Sequence, residues 1–452
     1  MVDRDIPAHS LNDFATWAPV LRLLRDNHAD GQAARTGRVA GSIGRDGWSL
    51  PLRGRMPESG RAAAERVRSA LEDAGVEEIS FSAEMSPSGK SVLRLRAPSP
   101  AVESGIGTPH PGALLLVEGA VPQPWRCLPD PAPGAVPAPS ADPELLERTL
   151  RERLPDAIGA TQAEIAAAEA RLGVTLPEEL KAIYRVTRSR WEDWGDDQEA
   201  AIRHCTAVGC ELFGLDDLYI ADAESRPSPW EFAAMIAVDT PPDAAVQGLV
   251  GSPGWIAFGD NGGGDRLAVD LTPGPAGHLG QVVMLSHEEY IGASLVADSL
   301  TDLVTDRLSR RSRRSGGDRP SPVAYVNIRR LPSIEAAAHP GLEVLSIGVW
   351  DDPPLSLAPV VGLPRLRTLS AYPGTLADPL EITGLTALEF LELGPDDWRV
   401  LLDAGAVPRT LSAAAVLVRG DSDPQPIVAL ANEILALWNR PPIIQTVLRG
   451  EL

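Results

Sequence analysis

His204, Cys205 and Cys210 lie close together in this sequence and could hold a metal or supply a nucleophile. Two thiolates and an imidazole suit a tetrahedral zinc site, provided an Asp or another His completes the set. No fourth ligand is evident nearby. The same thiols could serve a hydrolase beside a histidine base and an acid, but nothing in the spacing favours that arrangement. The remaining histidines are His9, His28, His110, His278, His287 and His339. No two of the seven stand four apart and H-E-x-x-H is absent, which excludes a zincin site. The G-x-S-x-G elbow of serine hydrolases is also absent. With 62 Asp plus Glu, pairs of carboxylates carry no information. The expectation is a binding protein, not an enzyme, with no metal and no cofactor.

The second chemically suggestive stretch is Gly259-Asp260-Asn261-Gly262-Gly263-Gly264-Asp265. Consecutive glycines permit positive φ and a tight reversal. Asp260, Asn261 and Asp265 can hydrogen-bond local backbone N–H groups. A phosphate-binding loop needs Gly-Lys-Ser/Thr after its glycines, which is missing. A calcium loop needs alternating carboxylates and a bidentate Glu, also missing. A hairpin turn accounts for these residues; a ligand-contacting turn and a metal site are the alternatives.

The surrounding chain constrains partners more than chemistry. A net charge of −21 and a pI near 4.8 repel nucleic-acid phosphates and anionic membranes, and suit a basic protein partner. Lys90 and Lys181 are the only lysines, and the rest of the basic residues are arginine. Together with abundant Ala, Pro and Gly, this suggests a GC-rich bacterial genome. Three cysteines (Cys127, Cys205, Cys210) make an odd count without a C-x-x-C pair, so a reducing cytoplasmic setting is expected. The start of the chain has no apolar signal core, and no stretch approaches ~20 uninterrupted apolar residues.

Two segments read as linkers. Residues 122–141 carry Pro122, Pro124, Pro129, Pro131, Pro133, Pro137 and Pro139, which resist helix and central strand and favour an extended connector. Residues 309–322, SRRSRRSGGDRPSP, are too polar to bury a core. Arg310, Arg311, Arg313 and Arg314 there read as a solvated run, with nucleic-acid contact as the alternative. The expected organisation is α+β multidomain: an N-terminal α+β domain over 1–121, a middle domain over 142–308 and a C-terminal domain over 323–452.

In the first part, Leu11, Phe14, Trp17, Leu21 and Leu24 predict a helix over 11–26. Residues 47–53 suit a strand. Ala63, Val67, Ala70 and Leu71 predict a helix over 59–73, ending near Gly75. Residues 76–84 and 91–96 alternate around the Ser86-Pro87-Ser88-Gly89 turn and predict a hairpin. A further strand is expected over Ala113–Val117.

The middle part opens on Asp142-Pro143-Glu144, an N-cap acceptor with proline at the first helical position. Thr161 and Glu164 make a capping box, and Gly173 supplies a C-terminal stop. A third helix starts at Leu176-Pro177-Glu178-Glu179-Leu180. The strands that follow are Trp255-Ile256-Ala257-Phe258, then Leu267–Leu271, then Gly280–Leu285. Ser299 and Asp302 cap a closing helix.

The run TQAEIAAAEARLGVTLPEELKAIYRV, the later GWIAFGDNGGGDRLAVDL, then GQVVML and VADSLTDLVTDRL together resemble the SUKH superfamily (SMI/KNR-type), over about Leu145–Leu308. The resemblance implies helices flanking an antiparallel sheet. The chain departs from the pattern at TRSRWEDWGDDQEAAIRHCTAVG, a longer insertion with Trp191 and Trp194. Candidate binding residues in this part are Trp191, Trp194, Trp255, Asp260, Asn261 and Asp265.

In the last part, LEVLSI at Leu342, LRTLSA at Leu366 and LEFLEL at Leu388 repeat, with Leu345, Leu369 and Leu391 24 and 22 residues apart. Weaker turns of the pattern fit VAYVNI and AAAVLV. The repeat resembles leucine-rich repeats, in which stacked short strands bury their leucines together. Residues expected to point outward are Tyr325, Asn327, Arg329, Val344, Ser346, Thr368, Ser370, Tyr372, Phe390 and Glu392. The usual turn Asn is missing. A helix over Ile427–Trp438 would cap the solenoid.

For bacterial members, the SUKH resemblance implies an immunity role: the module binds and neutralises a cognate toxin domain, often a basic nuclease, as in toxin–antitoxin pairs. For fungal members it implies a scaffold or regulator of cell-wall or signalling processes. An unrecognised hydrolase in the first domain is the remaining alternative.

Overall fold

The computed structural model describes residues 10–27, 37–52, 56–105, 110–194, 197–308, 319–418 and 423–452. The run Arg310–Arg314 and the Trp191 side chain lie outside the described residues. The chain divides into two compact units, Val121–Val323 and a unit made from both terminal parts, Met1–Ala120 with Ala324–Leu452.

The terminal unit begins with α1 (Phe14–Asn27), β1 (Arg38–Gly44), β2 (Trp48–Ser49), α2 (Glu58–Ala74), β3 (Glu78–Met85) and β4 (Lys90–Arg96). A short hairpin follows, β5 (Val102–Ser104) and β6 (Pro111–Leu115). The helix α2 forms where the spacing predicts, burying Ala63, Val67, Ala70 and Leu71. It stops because Gly75 takes φ 66° and sends its N–H back to Leu71 and Glu72. Ile79, Phe81 and Ala83 of β3, and Leu93 and Leu95 of β4, alternate inward onto the two helices. Trp17 lies 5.4 Å from Phe81, and its indole N–H donates to the Leu11 carbonyl at 2.9 Å, which satisfies the one polar atom this ring buries.

The middle unit contains α3 (Pro143–Arg153), α4 (Gln162–Leu172), α5 (Glu178–Val186), α6 (Trp191–Trp194), α7 (Gln198–Val208), β7 (Glu211–Leu212), β8 (Tyr219–Ile220) and α8 (Trp230–Ala233). Then come β9 (Trp255–Asp260), β10 (Arg266–Asp270), β11 (Gln281–Leu285), β12 (Ser294–Ala297) and α9 (Leu300–Val304). The three expected N-terminal caps are made: Asp142 accepts from Leu145 N at 2.9 Å, Thr161 with Glu164 completes the capping box before α4, and Ser299 accepts from Asp302 N at 3.0 Å before α9. The sheet is antiparallel in the order β12-β11-β10-β9-β7, with β8 also on β9. Buried Glu179 of α5 accepts from Thr301 N at 2.9 Å and Leu300 N at 3.3 Å, tying the helices to the start of α9.

Every residue of β9 is buried. Ile256 and Phe258 face the helices, whereas Trp255 and Ala257 face a second core with Ala221, Leu249 and Ala293. Cys127 packs against that second core. It belongs to the Pro-rich segment 122–141, which corrects the expectation of an extended connector. Trp125 Nε1 donates to Arg226 O at 2.9 Å, and Leu279 N donates to Val136 O at 3.0 Å. Gln247 brackets Asp130, accepting from its N–H at 2.8 Å and donating to its carbonyl at 2.9 Å. Prolines remove backbone donors but leave the carbonyls, so a Pro-rich strap can be held by donors from the domain it crosses.

The terminal unit resumes with β13 (Val323–Val326), β14 (Val344–Ile347), β15 (Thr368–Ala371), β16 (Phe390–Leu393), α10 (Pro395–Asp403), β17 (Ala413–Val416), α11 (Pro424–Ala436) and β18 (Gln445–Glu451). The repeated segments stack as parallel strands, with Leu345 beside Leu369, Leu369 beside Leu391 and Leu391 beside Ala414. Glu343, Arg367 and Glu389, one place before each strand, are buried, and Arg367 Nε reaches Glu343 at 3.4 Å.

Two strand pairings join the ends of the chain. β17 pairs antiparallel with β6, placing Ala414 opposite Leu114. β18 pairs antiparallel with β4, placing Gln445 opposite Arg96. The parts expected as separate N- and C-terminal domains therefore share two sheets, ordered β18-β4-β3-β1-β2 and β13-β14-β15-β16-β17-β6-β5. Gly450 is required for this fit, because a Cβ there would come within 2.2 Å of the Phe14 ring.

Candidate functional site

The glycine-rich stretch is the hairpin turn between β9 and β10, with Asp260 opposite Arg266 in register. Asp260 accepts from Gly262 N at 2.6 Å and forms an ion pair with Arg266. Asn261 Oδ1 accepts from Gly263 N at 2.8 Å and Asp265 N at 3.2 Å, while its Nδ2 donates to Asp265 Oδ2 at 2.8 Å. Gly262 and Gly264 adopt φ 78° and 100°. Asp260, Asn261 and Asp265 thus use their polar atoms to shape the turn.

Asp265 also connects the turn to the loop after β11. Its Oδ1 accepts from His287 N at 3.0 Å and from His287 Nδ1 at 2.8 Å. The His287 backbone N–H, then its imidazole, hold the Asp265 carboxyl below the usual range. His287, Glu288, Glu289 and Tyr290 are all exposed.

Arg226 fixes this loop from inside. Its guanidinium donates to the carbonyls of Val250 at 2.5 Å, Gly292 at 3.3 Å and Ser286 at 3.3 Å, and to that of Glu289. Burial lowers the Arg226 pKa, but an arginine so placed stays charged and matches several carbonyls at once. The anchored loop presents Tyr290 against Phe232 of α8, with ring centroids 5.9 Å apart and planes at 11°. Both rings are 40% exposed. Trp230 at the start of α8 is 4% exposed and roots the helix in the domain. The result is an anchored aromatic platform with Glu231, Glu288 and Glu289 adjoining it in sequence. Preorganised aromatic surface of this kind is what protein interfaces use as anchors.

The other candidates are placed differently. Trp255 is fully buried, so it is a core residue and not a contact residue. Trp194 packs 5.0 Å from His204, whose Nδ1 lies 3.2 Å from Thr187 Oγ1. Burial lowers the His204 pKa and favours the neutral ring. Arg188 and Asp193 pair at 2.7 Å, so the insertion is braced by its own side chains. Cys210 is buried with its thiol pushed up to about 12, and burial also raises Cys205. Protonated thiols are poor metal ligands and poor nucleophiles at neutral pH. Among the described residues, no three His, Cys, Asp or Glu side chains are grouped to hold a metal. No helix of the described residues is long and apolar enough to cross a membrane.

On the parallel ladder, the expectation of an outward solvated face fails at four of the ten positions. Val344, Thr368 and Phe390 are 0% exposed, and Ser370 is buried. Glu392 is half-buried; burial raises its pKa and the Ser370 hydroxyl donates to it. At Val344, Thr368, Ser370 and Phe390 the second face of these strands is covered as well, so alternation there does not separate a core from a surface. Tyr325 is exposed, Tyr372 is half-buried, and Asn327 accepts from Arg329 N at 2.9 Å.

Sequence reasoning missed Phe232, Tyr290, Arg226 and Trp125. Their importance arises from contacts between distant segments, and no local spacing signals it.

Residues 159–306 match the SMI1/KNR4 family (SUKH-1). A glucan synthesis regulatory protein of Neurospora crassa is 30% identical over 126 residues, 27% of this chain and 24% of that protein. The cell wall biosynthesis/cell cycle regulator smi1 of Schizosaccharomyces pombe is 28% identical over 167 residues, 33% of this chain and 31% of that protein. A KNR4/SMI1 homolog of Yarrowia lipolytica is 37% identical over 71 residues, 15% of this chain and 10% of that protein. The chain thus spans less than a third of the length of each of these relatives.

Proposed function

Starting from a chain whose residues 159–306 are a SMI1/KNR4-type (SUKH-1) domain, we propose that it is a non-catalytic protein-binding regulator acting in the cytoplasm. The observation that carries this reading is the exposed Phe232–Tyr290 stack on a loop held by Arg226. An enzyme needs converging reactive groups; a docking module needs rigid apolar anchors with polar surroundings. The charge of −21 favours a basic partner and fast, salt-dependent association. Asp265, bonded to both Asn261 and His287, ties the glycine-rich turn to the loop that carries Tyr290.

Between the two roles implied by the SUKH resemblance, the regulatory one is better supported. The relatives are named as regulators of glucan synthesis and cell-wall biosynthesis. The immunity role anticipated first, with a toxin nuclease as partner, gains no support from those names.

We read the terminal unit's parallel ladder as leucine-rich-repeat-like, on the 24- and 22-residue spacing of its stacked leucines. With Val344, Thr368, Ser370 and Phe390 of its outer face buried, that ladder serves more as scaffold than as recognition surface.

The test is affinity capture by the full chain from its own cells, compared with Phe232→Ala/Tyr290→Ala. Proteins of wall synthesis or signalling, lost with the variant, are the expected result. Capture and inhibition of a toxin nuclease encoded beside this gene would instead restore the immunity reading.

A further inference from the structure

Arg96 in the terminal unit forms no ion pair among the described residues and lines a cavity. Leu93 and Leu95 of β4 turn toward the helices, so Arg94 and Arg96 turn to the opposite face of the sheet. Arg94 is paired with Glu84 at 3.1 Å. Arg96 is only 8% exposed, and its Nη1 is buried without a hydrogen-bond partner. Gln445, opposite Arg96 on β18, buries its Nε2 amide in the same unsatisfied condition. Beside Arg96 lies a cavity of about 50 Å³, lined also by Ser80, Ser99, Ser104, His110, Glu78 and Glu103.

A buried guanidinium without a counter-charge is strongly unfavourable unless something compensates it. Burial alone accounts for the lowering of the Arg96 pKa to about 10, with no carboxylate opposing it. Even so, Arg96 stays cationic at neutral pH. Its fork of parallel donors matches a carboxylate or phosphate group. Three serine hydroxyls on the walls can donate as well, and the cavity suits a small solute.

We propose that this cavity is a binding site for a small oxyanion, received by Arg96 with the surrounding hydroxyls. Ile443, which precedes β18, also lines the cavity. Bound anion would therefore bridge segments from both ends of the chain and stabilise the unit they form, by linkage between binding and folding.

The experiment uses the full chain at constant ionic strength, titrated with inorganic phosphate, sulfate or acetate against a chloride reference. Thermal unfolding and calorimetric binding are read together. A saturable rise in Tm with phosphate or sulfate marks a tetrahedral ligand, and one with acetate marks a carboxylate. Arg96→Met is expected to weaken binding at least about tenfold, while leaving stability in chloride unchanged or higher, because it removes an uncompensated charge. Arg96→Lys keeps the charge without the fork and is expected to bind at intermediate strength. It also serves if the Met variant does not fold. No Tm response to any of the three anions would overturn the proposal. So would equal destabilisation by Arg96→Met and Glu78→Gln in chloride, because it would identify an Arg96–Glu78 ion pair in solution.

Discussion

Arg226 accepts the indole N–H of Trp125 on its carbonyl at 2.9 Å, while its guanidinium holds the loop that ends at Gly292, whose carbonyl is 3.3 Å away. One residue thereby joins the Pro-rich strap to the platform-bearing loop. Arg226→Met should leave the carbonyl of buried Val250 and the partly buried carbonyls of Ser286 and Gly292 without this donor, at ~1–3 kcal/mol for a buried group left unsatisfied and less for the others. We expect a loss of about 3 kcal/mol or more in urea unfolding of the middle unit, together with faster hydrogen exchange across 286–292. Unchanged exchange there would show that the loop is held by other contacts.

Trp125→Ala tests the strap itself. A strap bound to its domain resists proteases, whereas a free Pro-rich connector is cut in both forms. The wild-type chain should be protected over 122–141, and the variant should become cleavable there. The stability loss should be modest, about 2–3 kcal/mol, from one hydrogen bond and part of one aromatic ring.

The exposed rings Phe232 and Tyr290 should matter little to folding. Their stacking is expected to give a coupling of about 0.5–1.5 kcal/mol in a double-mutant cycle on stability. Partner affinity should fall much further, by about 2 kcal/mol or more, as anchors in an interface do. A loss of stability as large as the loss of affinity would mean that the pair is structural.

Asp270 provides a pH signature. It is fully buried at the foot of β10, and burial raises its pKa from 3.8 to about 6, despite hydrogen bonds from Gln281 and Thr272. With the folded pKa above the unfolded one, the native state binds the extra proton between roughly pH 4 and 6. The Asp270 contribution to stability must therefore fall as pH rises through that window, by ~3 kcal/mol at most for a shift of about two pKa units. Urea titrations at pH 4, 5, 6 and 7 should show this slope in the difference between the wild type and Asp270→Asn, whatever the variant's overall offset. Parallel profiles for the two proteins would refute the assignment.

Gly450→Ala should clash with Phe14, because the new methyl would come within 2.2 Å of that ring. Overpacking of this kind costs about 1–3 kcal/mol. Adding Phe14→Leu should recover part of the loss and so link the effect to this contact. Additive losses in the double variant would place the strain elsewhere.

The parts of this fold that are written locally were legible in the sequence. The Thr161–Glu164 capping box, the stop at Gly75, the turn at 259–265 and the spacing of Leu345, Leu369 and Leu391 all depend on residues close to one another. What was not legible depends on partners far away. The strand β18 is half-exposed along its length, and nothing in Gln445–Glu451 says that β4 is waiting for it. The prolines of 122–141 were read for what they prevent, not for the donors of Gln247 and Trp125 that hold the segment down. Alternation in the strand puts Phe390 on an open face, and Trp255 stands among the candidate contact residues, yet both are fully buried because the second side of each strand is covered there. For the candidate site, Asp260, Asn261 and Asp265 do fall in the hairpin turn but spend their polar atoms on it, and the Phe232–Tyr290 pair has no local signal in the sequence.

Because β4 pairs with β18 and β6 pairs with β17, the whole middle unit is synthesised between two strands that must meet. On the ribosome, residues 121–323 can complete their own core while the first sheet still lacks an edge and exposes the backbone groups that β18 will cover. The terminal unit can close only once its latest-made strand emerges, so a stalled or prematurely ended translation product would carry one finished unit and one open, aggregation-prone sheet.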